Sequence, residues 1–78
     1  MNMKEAVEMI VRALVDDVEA VDVREVTREG ATLIEVRVAP GDMGKIIGRQ
    51  GRTAAALRTL VSLTAEKHGV RAQLDIRD

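Results

Sequence analysis

Apolar side chains recur along the first eighteen residues at the three- and four-residue spacing of one helix face. They are Val7, Ile10, Val11, Leu14, Val15 and Val18. A stripe of this kind buries one side of an amphipathic helix against a core. Asn2 precedes the stripe and Glu5 follows three residues later, which is the spacing of a capping box. The pattern predicts a first helix that starts at Asn2 and extends toward Val18.

The segment after this helix has the residue types of β-strands. Residues 20–27 are rich in valine but alternate imperfectly, because Val26 falls on the face opposite to the earlier valines. They predict a strand that is compatible with a bulge. Residues 29–30 are Glu-Gly and predict a turn. Residues 31–39 carry the most continuous apolar run and predict the best-buried strand, which ends before Pro40.

Two helices and one strand are predicted in the rest of the chain. Asp42 is placed to cap a short helix that runs to about Ile47. A longer helix is predicted from about residue 52 to residue 67, followed by a glycine suited to end it. Residues 70–77 alternate apolar and polar side chains, as a half-buried strand does. The inner face of the longer helix is predicted to consist of Ala54, Leu57, Leu60, Val61 and Thr64 or Ala65.

The element order is therefore helix, strand, strand, helix, helix, strand, which predicts an α+β fold. The short turn makes the first two strands antiparallel, and a strand-crossover-strand connection makes the third strand parallel. Pairing across that connection places the most apolar strand in the centre of a three-stranded mixed sheet, with the three helices on one face. A chain of 78 residues has material for one core, so residues 1–78 are expected to form one domain.

Composition excludes several classes of function. The net charge is −1, but residues 1–30 hold four basic and eight acidic side chains, whereas residues 31–78 hold eight basic and five acidic ones. Such asymmetry fits a small cationic site on one face. The chain has no cysteine, which excludes disulfides and thiolate chemistry and suits the cytoplasm. No apolar run approaches the roughly 20 residues of a membrane span, so neither an anchor nor a signal peptide is predicted.

Unusual chemistry concentrates in residues 41–51, which hold four glycines and two cations. Gly48 and Gly51 leave the backbone bare where another chain can pass, and the N–H groups at the start of the next helix are anion-binding donors. Lys45, Arg49 and Arg52 have the charge to hold phosphates. The same residues are also compatible with a plain helix-helix turn and solvated cations. Gln50, at the tip, fits either a phosphate contact or a solvent-facing position.

The segment Ile46-Ile47-Gly48-Arg49-Gln50-Gly51, with a short helix before it and a long helix after it, resembles the signature of K-homology (KH) RNA-binding domains. The element order resembles their type II arrangement across the whole chain. A stand-alone domain of this length is similar to the small bacterial single-KH proteins of the KhpA family. The resemblance implies that the loop clamps about four nucleotides of single-stranded RNA. It also implies an apolar base groove lined by Ile47, the helix beginning at Arg52 and the central strand.

The family resemblance further implies a bacterial RNA chaperone or post-transcriptional regulator, acting as a homodimer or as a heterodimer with a larger Jag-type KH protein. The complete lack of aromatic residues excludes the stacking platforms of other RNA-binding modules and predicts weak binding. The only histidine, His68, and the only serine, Ser62, lie six positions apart on one helix, about 9 Å along its axis. No catalytic group, metal site or cofactor is predicted.

Three alternatives remain open from the residues alone. A helix, a tight turn and a second helix also describe a helix-turn-helix DNA-binding protein, although Arg49 and Gln50 would then lie in the turn and not on the reading helix. Binding of single-stranded DNA is a related alternative. The acidic N-terminal half also fits a protein-protein assembly module.

Overall fold

A computed structural model describes all 78 residues of the chain. Three short 3₁₀ turns, Val18–Ala20, Pro40–Asp42 and Arg49–Gly51, connect the longer elements. None of the helices combines the length and apolar character that a membrane crossing requires. The main elements are α1 (Met3–Leu14), β1 (Asp22–Arg28), β2 (Ala31–Arg37), α2 (Met43–Ile47), α3 (Arg52–Lys67) and β3 (Arg71–Arg77).

The three strands form one mixed sheet with β2 in the centre. β2 pairs antiparallel with β1 and parallel with β3. The two-residue turn at Glu29 and Gly30 has positive φ at both positions, 51° and 78°, which matches the twist of the antiparallel strands it joins. The predicted α+β fold, the order of its elements and the central position of the apolar strand are confirmed.

The core lies between one face of the sheet and the three helices. Every core side chain of β1, β2 and β3 points to the same face, because Val23 pairs with Val36, and Ile34 pairs with Leu74. Helices α1, α2 and α3 all contribute side chains to this cluster. Its fully buried members are Val7, Val11, Ile34, Val36, Ile46 and Val61. The opposite face of the sheet is left uncovered, as the alternating pattern of β3 predicted.

The N-terminus of α1 is as predicted, but its C-terminus is not. The backbone N–H of Glu5 donates to the Asn2 side chain at 2.8 Å, and the Glu5 carboxylate accepts from the N–H of Asn2 at 3.3 Å. The capping box is thus confirmed. The helix ends at Leu14, because Val15 is already extended and the chain must turn there to enter the sheet. Val18, predicted on the apolar stripe, lies in a separate 3₁₀ turn and is partly exposed.

Two further details differ from the sequence prediction. The pairing of β1 with β2 runs without interruption from Asp22 to Arg28, so there is no bulge. Val26 simply faces the uncovered side of the sheet. On α3, Leu60 is 39% exposed, because the buried stripe is narrower than predicted and leaves Leu60 at its margin. The buried residues of α3 are Ala54, Leu57, Val61 and Ala65.

Asp42 joins the first half of the chain to the second. It was predicted to cap α2, but its side chain makes no capping hydrogen bond to that helix. Its carboxylate instead accepts the backbone N–H groups of Asp16, at 3.2 Å, and Asp17, at 3.0 Å. These two residues follow α1, where the backbone has left the helix and its N–H groups need acceptors. The side chain of Asp42 is only 5% exposed, so this is a buried link between the end of α1 and the start of α2.

We predict that Asp42→Asn lowers the thermal midpoint by about 5 °C or more at neutral pH, because an amide offers one acceptor oxygen where the carboxylate offers two. Hydrogen bonds from the N–H groups of Asp17 and Asp16, and then Lys45, hold the pKa of Asp42 below its usual 3.8. A group whose pKa is lowered by folding stabilises the protein above its unfolded pKa and loses that effect as the pH falls through the folded pKa.

The difference in midpoint between the parent and Asp42→Asn should therefore narrow as the pH falls below about 4. Thermal unfolding followed by circular dichroism from about pH 7 to pH 2 measures it. A difference that stays constant over this range would show that the carboxylate charge contributes nothing.

Candidate nucleic-acid interface

The connection from α2 to α3 takes only four residues, Gly48 to Gly51, most of which have unusual backbone angles. Gly48 has φ 76° and ψ 171°, and Gly51 has φ 73° and ψ 14°. Gln50, between them, has φ 57°, a left-handed conformation that is uncommon for a residue with a side chain. The carbonyl of Gly48 accepts the N–H of Gly51 at 3.1 Å. The loop is thus a tight, internally bonded turn.

The two glycines of this turn are needed for different reasons. A Cβ atom at Gly48 would lie 2.7 Å from the Cβ of Thr53 and 2.9 Å from its backbone nitrogen, so packing against α3 excludes any side chain. A Cβ atom at Gly51 would meet nothing within 4 Å. Gly48 therefore has a structural role that the simple turn interpretation explains. The open space at Gly51 is what a ligand needs for close approach to the backbone.

The start of α3 adjoins this open space and has no side-chain cap, and the N–H of Arg52 donates to the carbonyl of Arg49. Gly51 is the N-cap residue and has no side chain that could accept a hydrogen bond. No other side chain accepts from the first-turn N–H groups of α3. These N–H groups and the positive end of the helix dipole favour an anion at this position.

Arg49 and Arg52 flank the N-terminus of α3, and both are exposed. Neither has a carboxylate within 4 Å, the distance at which the ion pairs of the protein are found. The Arg52 Nη2 donates to Gln50 Oε1 at 3.1 Å, which orients the two side chains on the same side of the turn. Two unpaired guanidinium groups thus lie beside the helix donors, as a phosphate site requires.

Lys45, the third predicted phosphate contact, is already paired. Its Nζ lies 3.2 Å from Asp16 Oδ2 and 3.4 Å from Asp42 Oδ1. The hydrogen bond with Asp16, followed by that with Asp42, raises the pKa of Lys45 above its usual value. The two carboxylates neutralise the positive charge of Lys45, which the sequence analysis had assigned to a phosphate contact. Asp42 is buried, whereas the Asp16 side chain is 84% exposed.

The two isoleucines before the loop differ in burial. Ile46 is fully buried in the core, as predicted for one member of the pair. Ile47 is half-buried and is not among the partly buried side chains that pack on the core cluster. Its predicted place in a base groove is compatible with this position and stays a prediction.

A groove between α3 and β3 adds residues that the sequence did not single out. It has a volume of about 280 Å³ and is lined by Arg58, Ser62, Ala72, Gln73 and Leu74. Arg58 follows Arg52 by six residues, so the groove begins about 9 Å along the helix axis from the loop. The sequence placed the groove floor on the central strand, whereas the edge strand β3 lines this one. Only the strand order, which places β3 beside α3, reveals these residues.

Ser62 lies in this groove, and His68 is exposed at the end of α3. No group of three or more His, Asp or Glu side chains is arranged to hold a metal ion.

The two glycines should differ in their tolerance of a side chain. Gly51→Ala places a residue with a Cβ in the left-handed region and should cost about 1 kcal/mol of unfolding free energy. Gly48→Ala adds a collision with Thr53 to a strained backbone and should cost roughly 3 kcal/mol or more. Gly51→Asn should lose less than Gly51→Ala, because Asn tolerates this conformation. Urea unfolding of the three variants measures these differences, and equal losses for the two alanine variants would contradict the distinction.

Comparison with known proteins agrees with this architecture. Residues 4–76 match the family described as KhpA/KhpB, KH domain. The "RNA-binding protein KhpA" of Clostridium perfringens is 47% identical over 74 residues, which cover 95% of this chain and 99% of that protein. The protein of the same name from Borreliella burgdorferi is 46% identical, with 99% of this chain and 94% of that protein covered.

The protein of the same name from Halalkalibacterium halodurans is 50% identical and is covered over its full length by 97% of this chain. Family match and relatives both extend over nearly all of the sequence. Together with the α-β-β-α-α-β order and the Gly48–Gly51 turn between α2 and α3, they show that this chain belongs to the KhpA/KhpB family of KH-domain proteins.

Proposed function

We propose that this chain binds single-stranded RNA without catalysing a reaction, and that the clamp is the loop from Gly48 to Gly51. One observation carries the proposal: open space at Gly51 coincides with the uncapped N-terminus of α3. The unpaired Arg49 and Arg52 lie on either side of it. The relatives named RNA-binding protein KhpA support RNA as the ligand.

The clamp acts on the sugar-phosphate backbone. One phosphate accepts N–H groups from the first turn of α3, and Arg49 and Arg52 neutralise this phosphate and the next one. Gly51 lets the chain approach because no side chain stands between the RNA and these donors. Gln50 is close enough to Arg52 to orient it, and it adds a neutral hydrogen-bonding group.

The bases then lie in the groove between α3 and β3. Ile47 before the loop, and Ala72 and Leu74 in the groove, offer aliphatic contact, while Arg58 and Ser62 offer hydrogen bonds to base edges. A groove without aromatic rings lacks the stacking contribution of about 1–3 kcal/mol per base. One domain is therefore expected to bind RNA with a dissociation constant in the micromolar range or weaker.

The proposed setting is that of a bacterial RNA chaperone or post-transcriptional regulator in the cytoplasm. Weak binding by one domain favours a partner, because two linked sites raise the overall affinity. A homodimer or a pair with a Jag-type KH protein meets this need. Leu60 and Leu63 on α3, which are 39% and 61% exposed, support such an interface. They lie on a different side of the helix from the groove residues Arg58 and Ser62.

The alternatives fit the geometry less well. A helix-turn-helix protein reads DNA with side chains of its second helix, whereas Arg49 and Gln50 lie in the turn before α3. A protein-protein assembly module does not need open space beside a helix N-terminus that has no side-chain cap. Binding of single-stranded RNA, single-stranded DNA and duplex DNA of one sequence, compared by fluorescence anisotropy, separates these functions.

The first functional prediction concerns the loop tip. Arg49→Asp combined with Gln50→Asp should abolish RNA binding while changing the unfolding free energy by no more than about 0.5 kcal/mol. Asp tolerates the left-handed backbone of Gln50, and two carboxylates in the phosphate path replace attraction with repulsion. Anisotropy and thermal unfolding of the same samples give both quantities.

The control for this pair is Arg12→Asp combined with Arg24→Asp. This variant changes the net charge by more than the loop variant does, at positions outside the loop. It should leave RNA affinity within a few-fold of the parent. A folded loop variant that binds RNA as the parent does would make the clamp wrong, and the glycines would then serve only the helix-helix turn.

The second functional prediction concerns Lys45. If Arg49 and Arg52 make the only two side-chain phosphate contacts, the slope of log K against log salt should be about −1.4 for a single strand. Asp16→Asn removes the exposed one of the two carboxylate partners of Lys45, so the ammonium group keeps only Asp42 and should make a third phosphate contact. The slope should then steepen to about −2.1, and affinity at 50 mM salt should rise about threefold or more.

Asp17→Asn is the matched control. It removes the same charge at the next residue, whose carboxylate has no ion pair with Lys45. It should leave the slope at the parent value. Equal slopes for the two variants would show that Asp16 acts on RNA only through general repulsion. A parent slope near zero would exclude a phosphate clamp.

A further inference from the structure

We infer that the RNA path continues past the groove, around the free edge of β3, onto the uncovered face of the sheet at Arg71 and Arg28. The ligand class is the sugar-phosphate backbone of a single strand longer than the four or so nucleotides that the loop clamps. The inference rests on the proposed function and extends it by a second contact region, defined here as the sheet-face site of Arg28, Leu33, Arg71 and Gln73.

The first observation is that cavities on both sides of β3 share residues. One cavity of about 320 Å³ continues the groove and is lined by Ser62 and Val70 together with Arg71, Ala72 and Gln73. A second cavity, of about 200 Å³, lies on the strand's other side and is lined by Ala31, Thr32 and Leu33 together with the same three residues of β3. β3 is an edge strand that pairs only with β2, so no further strand blocks a chain that passes from one cavity to the other.

The second observation is the distribution of charge on the uncovered face. The strand register places Arg28, Ala31 and Arg71 in one row across the sheet, and Val26, Leu33 and Gln73 in the next. These two rows contain two arginines and no carboxylate. Neither arginine has an ion-pair partner within 4 Å.

The other end of the same face is charge-balanced. It carries three arginines and the three carboxylates of Asp22, Glu35 and Asp75, again placed by the register. Arg24 pairs with Asp22 at 2.9 Å, and Arg77 pairs with Asp75 at 3.4 Å. The unneutralised positive charge of the sheet therefore lies at the end that adjoins the groove cavity.

These observations select the occupant and its route. A polyanion is favoured because the two unpaired guanidinium groups suit phosphates, and the apolar strip and the Gln73 amide in the next row suit a base. A larger cavity of about 600 Å³ lies past the hairpin end, but Glu29 and Glu66 line it beside Arg28 and Arg71. The carboxylates disfavour a phosphate there, so the path crosses the sheet face.

The test compares oligouridine of five and twelve nucleotides by anisotropy over a range of salt concentrations. With two added phosphate contacts, the twelve-nucleotide strand should show a salt slope steeper by about 1.4 than the five-nucleotide strand. Arg28→Gln combined with Arg71→Gln should abolish this difference in slope while leaving the affinity for the five-nucleotide strand within about twofold of the parent. A longer strand also gains affinity by offering more binding registers, but that statistical gain does not change the slope.

Arg24→Gln combined with Arg77→Gln is the matched control, because it removes the same charge from the same face at positions that are ion-paired. It should keep the difference in slope. Equal parent slopes for the two strands, or equal effects of the two double variants, would overturn the inference. Failure of the five-nucleotide strand to bind at all would instead contradict the proposed function. A double variant that changed only the oligomeric state would assign the face to protein and reject RNA.

Discussion

The chain must turn from α2 into α3 within four residues, and this constraint governs the site. A turn that tight needs positive φ at Gly48, Gln50 and Gly51, and it brings Gly48 so close to Thr53 that no side chain fits. The same turn leaves α3 without a side chain at its N-cap. The geometry that the fold needs for packing thus also leaves the start of α3 open to an anion, so a structural role for these glycines is compatible with the proposed clamp.

Asp42 and Lys45 tie this turn to the rest of the molecule. The buried carboxylate binds the backbone after α1 and fixes the start of α2, the short helix that ends at the loop. Lys45 completes the link through Asp16 and Asp42. Lys45 is therefore engaged by two carboxylates, whereas Arg49 and Arg52 have none within 4 Å. In the proposed clamp, the positive potential then depends on Arg49 and Arg52.

Much of the fold could be predicted from the sequence because local patterns and tertiary packing agree. The capping box at Asn2, the central strand and the bounds of α3 depend on residues close in sequence, and all are observed. The end of α1 and the role of Asp42 were mispredicted, since both depend on contacts between residues more than 20 positions apart. A carboxylate before a helix usually caps that helix. The sequence does not show that the N–H groups of Asp16 and Asp17 lie within hydrogen-bonding distance of the Asp42 carboxylate.

In the candidate site, too, the residues close in sequence were predicted, whereas those that meet only through the tertiary fold were not. The loop from Gly48 to Gly51 was identified from its composition alone, and its residues lie together at the N-terminus of α3. The groove residues Arg58 and Gln73 were not identified, because they come from different elements and meet only when β3 takes the edge of the sheet beside α3. The neutralisation of Lys45 was missed for a similar reason, since Asp16 is distant in sequence and its role needs the end of α1 to be placed correctly.

The most direct test of the account is a nuclear magnetic resonance titration of the ¹⁵N-labelled protein with a short oligouridine. If the backbone at the start of α3 binds phosphate, the amides of residues 48–54 should show the largest chemical-shift changes, accompanied by the Arg49 and Arg52 side chains. Smaller changes should follow along β3 at Ala72, Gln73 and Leu74. Changes confined to α1 or to the exposed Leu60 and Leu63, with the amides of residues 48–54 unmoved, would contradict the clamp.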